Sequence, residues 1–175
     1  GLTPAETAKR LPMNIIESGP AGGVVGARFL AEAGGLGDLI TFDMGGTTAK
    51  ASMVEDGRYA RADEFEVGGG ILAGSRLLTG AGYKLKTQAI DLAEVGAGGG
   101  SLVWIDMGGA LQIGPQSAGA SPGPVCYDAG GEEPTVTDAN LILGYLNPES
   151  LAGGSVQLNA EKARDVFAAK VAQPL

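Results

Sequence analysis

In "ITFDMGGTTAK", residues 40–50, an apolar strand-like run ends in Asp43 and passes at once into Gly45, Gly46, Thr47 and Thr48. These residue types in this order suit a nucleotide polyphosphate. Glycine lets backbone N–H groups approach phosphate oxygens, the threonines add hydroxyl donors, and a carboxylate at a strand end can hold a magnesium ion through water. A plain hairpin with a Gly-Gly turn satisfies the same letters. Asp-Met-Gly-Gly returns in "WIDMGGALQIG", residues 104–114, where Ala110 and Leu111 come next and bring no donor beyond the backbone. That second copy joins two alternating runs and reads as a hairpin turn, its letters owed to the tolerance of glycine for tight bends.

Other groups admit two readings each. In "GAGGGS", residues 96–101, Gly98, Gly99, Gly100 and Ser101 either cradle phosphate with successive N–H groups or let the backbone bend tightly beside a neighbouring strand. Lys50 either neutralises a phosphate or is a solvated strand residue. In "QSAGASPGPVCYDAGG", residues 116–131, Ser117, Ser121 and Asp128 sit in a Pro/Gly loop from which they could reach a substrate. Cys126 in that loop reads as a small buried hydrophobe, since no histidine stands by to activate a thiol. Thr137, Asp138 and Asn140 of "EPTVTDAN" either form a polar cluster at a helix N-terminus, a place that favours anions, or serve as caps.

Composition narrows the chemistry. The chain has 175 residues, 44% of them hydrophobic, enough for one globular domain with a real core. There is no His and a single Cys, which excludes histidine-based triads, histidine-zinc sites and an internal disulfide framework within this chain. A net charge of −8 without a basic run argues against nucleic acid or an acidic membrane surface as partner. No apolar run reaches the length of a membrane span, about 18 residues, and no leader is visible, so a cytoplasmic location is expected. The start at Gly1 is read as a cut in a longer protein.

The elements that must position these groups can be read from pattern. Thr3-Pro4-Ala5-Glu6 has the form of a capping box opening a helix over residues 4–10, which Pro12 ends. A second helix comes next in "ESGPAGGVVGARFLAEAGG", capped by Ser18 or Gly19, with Val24, Val25, Ala27, Leu30 and Ala31 as its apolar stripe and Gly34 as its stop. Strands are expected in "DLITFDM", over residues 47–54 and over residues 58–67, with tight turns at Gly45-Gly46 and at residues 55–57. Residues 68–100 read as loop and strand. Residues 102–106 and 110–113 form a hairpin, and two helices close the chain, one capped by Thr137 or Thr135 and ended by Asn147-Pro148, the other capped by Asn159.

A Gly/Ala-rich helix, a short spacer and an apolar strand into Asp-x-Gly-Gly-Thr resemble the entry to the second lobe of the actin-like, sugar-kinase and heat-shock-chaperone ATPases. More closely, "SGPAGGVVGA", "FDMGGTTAK", "EVGAGGGSLVWID", "GPQSAGASPGPVCYDAGG" and "EPTVTDANLILG", in that order, resemble the hydantoinase A/5-oxoprolinase family with its acetone and acetophenone carboxylase subunits. The resemblance implies an α/β fold, a mixed sheet with flanking helices, and a single incomplete domain over residues 1–175 that supplies one phosphate-binding lobe.

It implies an ATP-dependent enzyme that opens a cyclic amide by phosphorylating an oxygen of a small-molecule substrate, or one that carboxylates a ketone; a non-catalytic nucleotide-binding module is the rival class. By resemblance Asp43 is the catalytic and metal-holding residue, for Mg2+ or Mn2+. Gly45, Gly46, Thr47, Thr48 and Lys50, with Gly98, Gly99, Gly100 and Ser101, are expected at the ATP. The implied partners are a second lobe of the same full-length chain and a hydantoinase B-type subunit or domain, without which the isolated piece is expected to be inactive. Two positions depart from the family pattern. Ala49-Lys50 stand where many members have Thr-Asp, and Leu92-Ala93-Glu94 stand where hydantoinase-like members often carry a His.

Overall fold

The computed structural model describes residues 2–67, 82–149 and 151–175. The chain divides into two compact units, one of Gly1–Asp43 with Ala49–Val95 and one of Met44–Thr48 with Gly96–Leu175. The fold is mixed α/β, and the strand pairings with an assigned register are antiparallel.

The first unit opens with helix α1 (Ala5–Arg10). Its N-cap is Pro4 itself and no side chain caps it, so the expected capping box does not form; Thr3 falls one residue too far from the first turn. Glu6 early and Lys9 and Arg10 late complement the helix dipole instead. Pro12 ends α1 and opens a 3-10 turn at Pro12–Ile15. Helix α2 (Ser18–Ala33) is entered through Glu17 in a left-handed conformation (φ 57°), so neither Ser18 nor Gly19 caps it. Its buried face is Ala21, Val24 and Ala31, narrower than the expected stripe, and Leu30 is exposed.

Strand β2 (Ala49–Glu55) is the strand with which the rest of this sheet pairs. It lies beside β1 (Leu39–Met44), and across the Asp56-Gly57 turn its Val54 and Glu55 pair with Tyr59 and Arg58 of β3 (Arg58–Tyr59). The single strand expected over residues 58–67 is three: β3, β4 (Arg61–Ala62) and β5 (Phe65–Val67). The chain changes partner between them. β5 pairs with β6 (Tyr83–Leu85), β4 with β7 (Ala89–Ile90), and the first half of β2 with β8 (Ala93–Val95). Of the stretch expected as loop and strand, residues 68–81 lie outside the described residues. Ala49, Ser52 and Val54 of β2 are buried, and the Ser52 hydroxyl is satisfied by donating to Asp91 O at 2.8 Å.

The second unit holds the expected hairpin, β9 (Ser101–Ile105) with β10 (Leu111–Ser117), in register from Leu111↔Ile105 to an irregularity before Ser117↔Ser101. Helix α3 (Val136–Ile142) is capped by Thr135 in a reciprocal box with Asp138, and ends at Leu143 and Gly144, earlier than Asn147-Pro148. Helix α4 (Ala160–Phe167) is capped by Asn159, which accepts from Lys162 N–H, and runs on as a π turn to Ala172. Cys126, Leu141, Leu158 and Ala163 make a hydrophobic cluster here. Among the described residues no helix is long and apolar enough to cross a membrane.

A buried carboxylate pins this unit. Asp138, fully buried, accepts from Val125 N–H (3.2 Å), Cys126 N–H (2.7 Å), Thr135 N–H (2.9 Å) and the Thr135 hydroxyl (2.7 Å). It ties the Pro/Gly loop to the start of α3. Asp138→Ala leaves those four donors without an acceptor and should cost roughly 3 kcal/mol of stability. Denaturant titration of the variant checks this, and a change below about 0.5 kcal/mol, the scale of a surface substitution, would contradict it.

Candidate functional site

The loop after β1, Met44–Thr48, belongs to the second unit, and its backbone is held from behind. Gly45 N–H donates to Thr48 O at 2.9 Å and closes the turn. The carbonyls of Gly45 and Gly46 accept from the N–H groups of Gly99 (2.9 Å) and Gly100 (2.6 Å). Gly46 and Thr47 are exposed, and their own N–H groups meet no acceptor among the described residues. Carbonyls are thus occupied on one side of the loop while donors stand open.

The glycine run at residues 98–101 is the buttress of this arrangement. A Cβ on Gly98 would lie 2.5 Å from the Thr47 carbonyl carbon and 2.6 Å from Thr48 N, closer than any real side chain approaches backbone. The four N–H groups of the run are engaged within the protein: Gly98 to Ser101 Oγ (2.9 Å), Gly99 and Gly100 to the loop carbonyls, and Ser101 to Gly98 O (3.0 Å). Of the two readings of "GAGGGS", close backbone approach is the one this geometry carries. Ser101 is buried, with its hydroxyl turned inward to Gly98.

In the first unit, Asp43 is exposed at the end of β1, and its side chain makes no hydrogen bond or ion pair with another described residue. Gly23 of α2 comes close to it: a Cβ there would be 3.8 Å from Asp43 Oδ2. Lys50, by contrast, has a matched charge. Its side chain is only 14% exposed, and its Nζ lies 3.6 Å from Glu17 Oε2 and 3.5 Å from Glu94 Oε1. Lys50 and Glu94 are direct cross-strand partners of β2 and β8. The two departures from the family pattern therefore meet each other, which supports a structural Lys50 and gives Glu94 its partner. Sequence reasoning misses Glu17, since nothing local marks it as near a strand thirty residues on.

The repeated phrase has the opposite character. Asp106 Oδ1 accepts from Gly108 N–H and Ala110 N–H, both at 2.9 Å, and its Oδ2 accepts from Gln112 Nε2 at 2.7 Å. The Ala110 N–H first, and the Gln112 amide next, hold this carboxyl below the usual carboxylate range. Gly109, at φ 80°, completes the turn. Asp106 is a turn residue, as its neighbours in sequence suggest.

Among the remaining candidates, Ser117 and Ser121 are exposed, and Asp128 is paired with Lys162 Nζ at 2.6 Å, which holds its carboxyl low. Cys126 is buried in the hydrophobic cluster, and burial first, then the Asp138 carboxylate, pushes its thiol well up, which fits its reading as a packing residue. Asp138 is a cap. Thr137, read as cap or anion ligand, is neither: its N–H and Oγ1 both donate to Gly99 O at 2.8 Å. Among the described residues no three Asp, Glu or Cys side chains cluster so as to hold a metal ion, leaving Asp43 as the open carboxylate of this motif.

A family model described as Hydantoinase/oxoprolinase matches residues 1–175. The chain is 48% identical, over 99% of its length, to an uncharacterized protein of Methanocaldococcus jannaschii, of which the match covers 26%. It is 41% identical over its whole length to caprolactamase subunit alpha of Pseudomonas jessenii, covering 23% of that protein. The crystal structure of the ATP-dependent caprolactamase from that organism aligns with a TM-score of 0.70 at 43% identity, over 93% of this chain and 22% of the other. The nucleotide-free structure of acetone carboxylase aligns with a TM-score of 0.67 at 32% identity, over 90% and 20%. The chain thus spans about a quarter of the length of these two relatives, and it belongs to the Hydantoinase/oxoprolinase family.

Proposed function

We propose that the full-length protein is an ATP-dependent hydrolase of a cyclic amide, and that the loop after β1 receives the ATP phosphates. One observation carries this reading. The loop's carbonyls are occupied from behind while the N–H groups of Gly46 and Thr47, in two exposed residues, meet no acceptor among the described residues, and Asp43, its side chain likewise without a partner there, precedes them in the chain. Such a set of preoriented donors suits an anion and costs no reorganisation when one arrives.

The residues divide the work by chemistry. Gly46 and Thr47 would donate backbone N–H groups to phosphate oxygens, Thr47 also carries a hydroxyl, and Thr48 closes the loop through its carbonyl. The donor set fits a magnesium ion: Asp43 offers one exposed carboxylate with no competing partner among the described residues, and this hard cation keeps several waters and needs only one or two protein oxygens. ATP held there would supply the phosphoryl group for activation of an amide oxygen. The contribution of this chain is position and charge, which is most of what phosphoryl transfer asks of a protein. Gly98, Gly99, Gly100 and Ser101 act behind the loop, and Lys50 braces β2, without phosphate contact.

The lactam reading is favoured over ketone carboxylation by the greater identity to the caprolactamase structure, 43% against 32% for acetone carboxylase. One such loop is present among the described residues, and in this reading turnover requires a second lobe of the full-length chain and a hydantoinase B-type subunit, in a cytoplasmic setting that supplies ATP. Full-length protein with that subunit, assayed for ATP hydrolysis against a panel of lactams and of ketones with bicarbonate, tests the assignment. Lactam-dependent turnover is expected; turnover with ketone and bicarbonate alone would replace it with the carboxylase reading.

Two substitutions separate the repeated motifs. Asp43→Ala should lower kcat by at least ~100-fold, the scale of losing a key electrostatic group, whereas Asp106→Asn should leave kcat within about 2-fold and lower only thermal stability, as loss of a turn hydrogen bond does. Equal losses would contradict the assignment. Gly98→Ala should raise KM for ATP by at least ~10-fold, as expected when a loop that positions substrate is displaced by about 1 Å. Steady-state kinetics at varied MgATP checks this, and an unchanged KM would show that the loop is not the phosphate site.

A further inference from the structure

We infer that Thr137 is a positioning residue that strengthens the phosphate loop from a distance, through two peptide groups in series. The inference rests on the reading that the loop binds phosphate, and it concerns how the loop's donors are held and polarised.

The first peptide joins Gly99 to Gly100. Its carbonyl accepts two hydrogen bonds from one residue, Thr137 N–H and Thr137 Oγ1, both at 2.8 Å. The N–H on the other side of the same peptide, that of Gly100, donates to Gly46 O at 2.6 Å, the shorter of the two bonds that hold the loop. The second peptide joins Gly46 to Thr47. Its carbonyl is the acceptor of that short bond, and its N–H belongs to Thr47, an exposed residue, and is without an acceptor among the described residues. Each peptide whose carbonyl accepts a hydrogen bond becomes a better donor at its nitrogen, and chains of such bonds reinforce one another. The relay therefore runs from Thr137 through Gly99-Gly100 and Gly46-Thr47 to an open N–H.

Thr137 is free for this task because Thr135, not Thr137, caps α3. As the second residue of the helix it carries one of the N–H groups that lack an intrahelical acceptor, and the Gly99 carbonyl takes it. Thr137 is buried, 9% exposed, so water does not compete freely for either bond. Gly99 admits the arrangement by having no side chain, since a Cβ there would lie 2.7 Å from Thr137 Oγ1. The buried Asp138 beside it fixes the first turn of α3 and hence the direction of both donors.

The test uses full-length protein with its partner subunit and the variants Thr137→Val, which keeps the shape and removes the hydroxyl donor, and Thr137→Ser, which keeps the donor. KM for MgATP and kcat are measured beside amide hydrogen exchange, without nucleotide, of peptides covering residues 96–101 and 44–48. Thr137→Val should raise KM for MgATP about 3- to 10-fold, the equivalent of one hydrogen bond, with faster exchange in the 96–101 peptide and KM for the organic substrate unchanged. Thr137→Ser should return both readouts to within about 2-fold of wild type, because the donor is restored.

Faster exchange with an unchanged KM for MgATP overturns the inference while leaving ATP use intact; so does an unchanged exchange rate. Absence of any MgATP dependence in the wild-type enzyme, whatever the exchange result, overturns the phosphate reading itself and this inference with it.

Discussion

Two backbone hydrogen bonds, from Gly99 N–H to Gly45 O and from Gly100 N–H to Gly46 O, decide what the loop after β1 shows to its surroundings. A peptide group has a donor on one side and an acceptor on the other. With the acceptors of the Gly45-Gly46 and Gly46-Thr47 peptides fixed inward, the N–H groups of Gly46 and Thr47 point away from those bonds and meet no acceptor among the described residues. The approach that makes these bonds is so close that Gly98 has room for no side chain. Glycine is needed here for proximity, and the loop gains its polarity as the consequence. Behind the run, Thr137 on the Gly99 carbonyl and Asp138 in the first turn of α3 keep that approach in register.

The carboxylates divide by the company they keep. Asp138 is buried among four donors and Asp106 is wrapped by its own turn, so each is committed to structure. Asp128 is paired with Lys162. Asp43 is exposed, unpartnered among the described residues, and close in the chain to the open donors. A carboxylate left without a partner keeps its capacity for a hard cation such as magnesium, the role proposed for Asp43. Lys50 is the contrasting case: a charge that sequence position alone placed near phosphate is neutralised by Glu17 and Glu94.

Local chemistry was legible in the sequence. The Asp43 and Asp106 phrases were separable by their next residues, hydroxyls in one and Ala-Leu in the other, the β9-β10 hairpin by its alternation, and the Asn159 cap by its place before an amphipathic run. The features that escaped were set by contacts distant in sequence. The strand expected over residues 58–67 breaks because its parts pair with different partners, and no residue within it announces that. The capping box at Thr3 failed because the reading was one residue out of register with Pro4. "GAGGGS" admits both a phosphate nest and a close approach because both need the same absence of side chains, and the acceptors of the N–H groups of residues 98–101, all within the protein, favour the close approach. Thr137 looked like a cap because it sits two residues past one, and its true acceptor is thirty-eight residues away.

The central claim is that phosphate meets the outward donors of the loop after β1 and not the glycine run behind it. A structure of the full-length enzyme with a non-hydrolysable ATP analogue and magnesium tests this most directly. The expected result has phosphate oxygens accepting from Gly46 and Thr47 N–H and the bonds from Gly99 and Gly100 to the loop carbonyls unbroken. Phosphates seated on residues 98–101, or at the Asp106 turn, would contradict it.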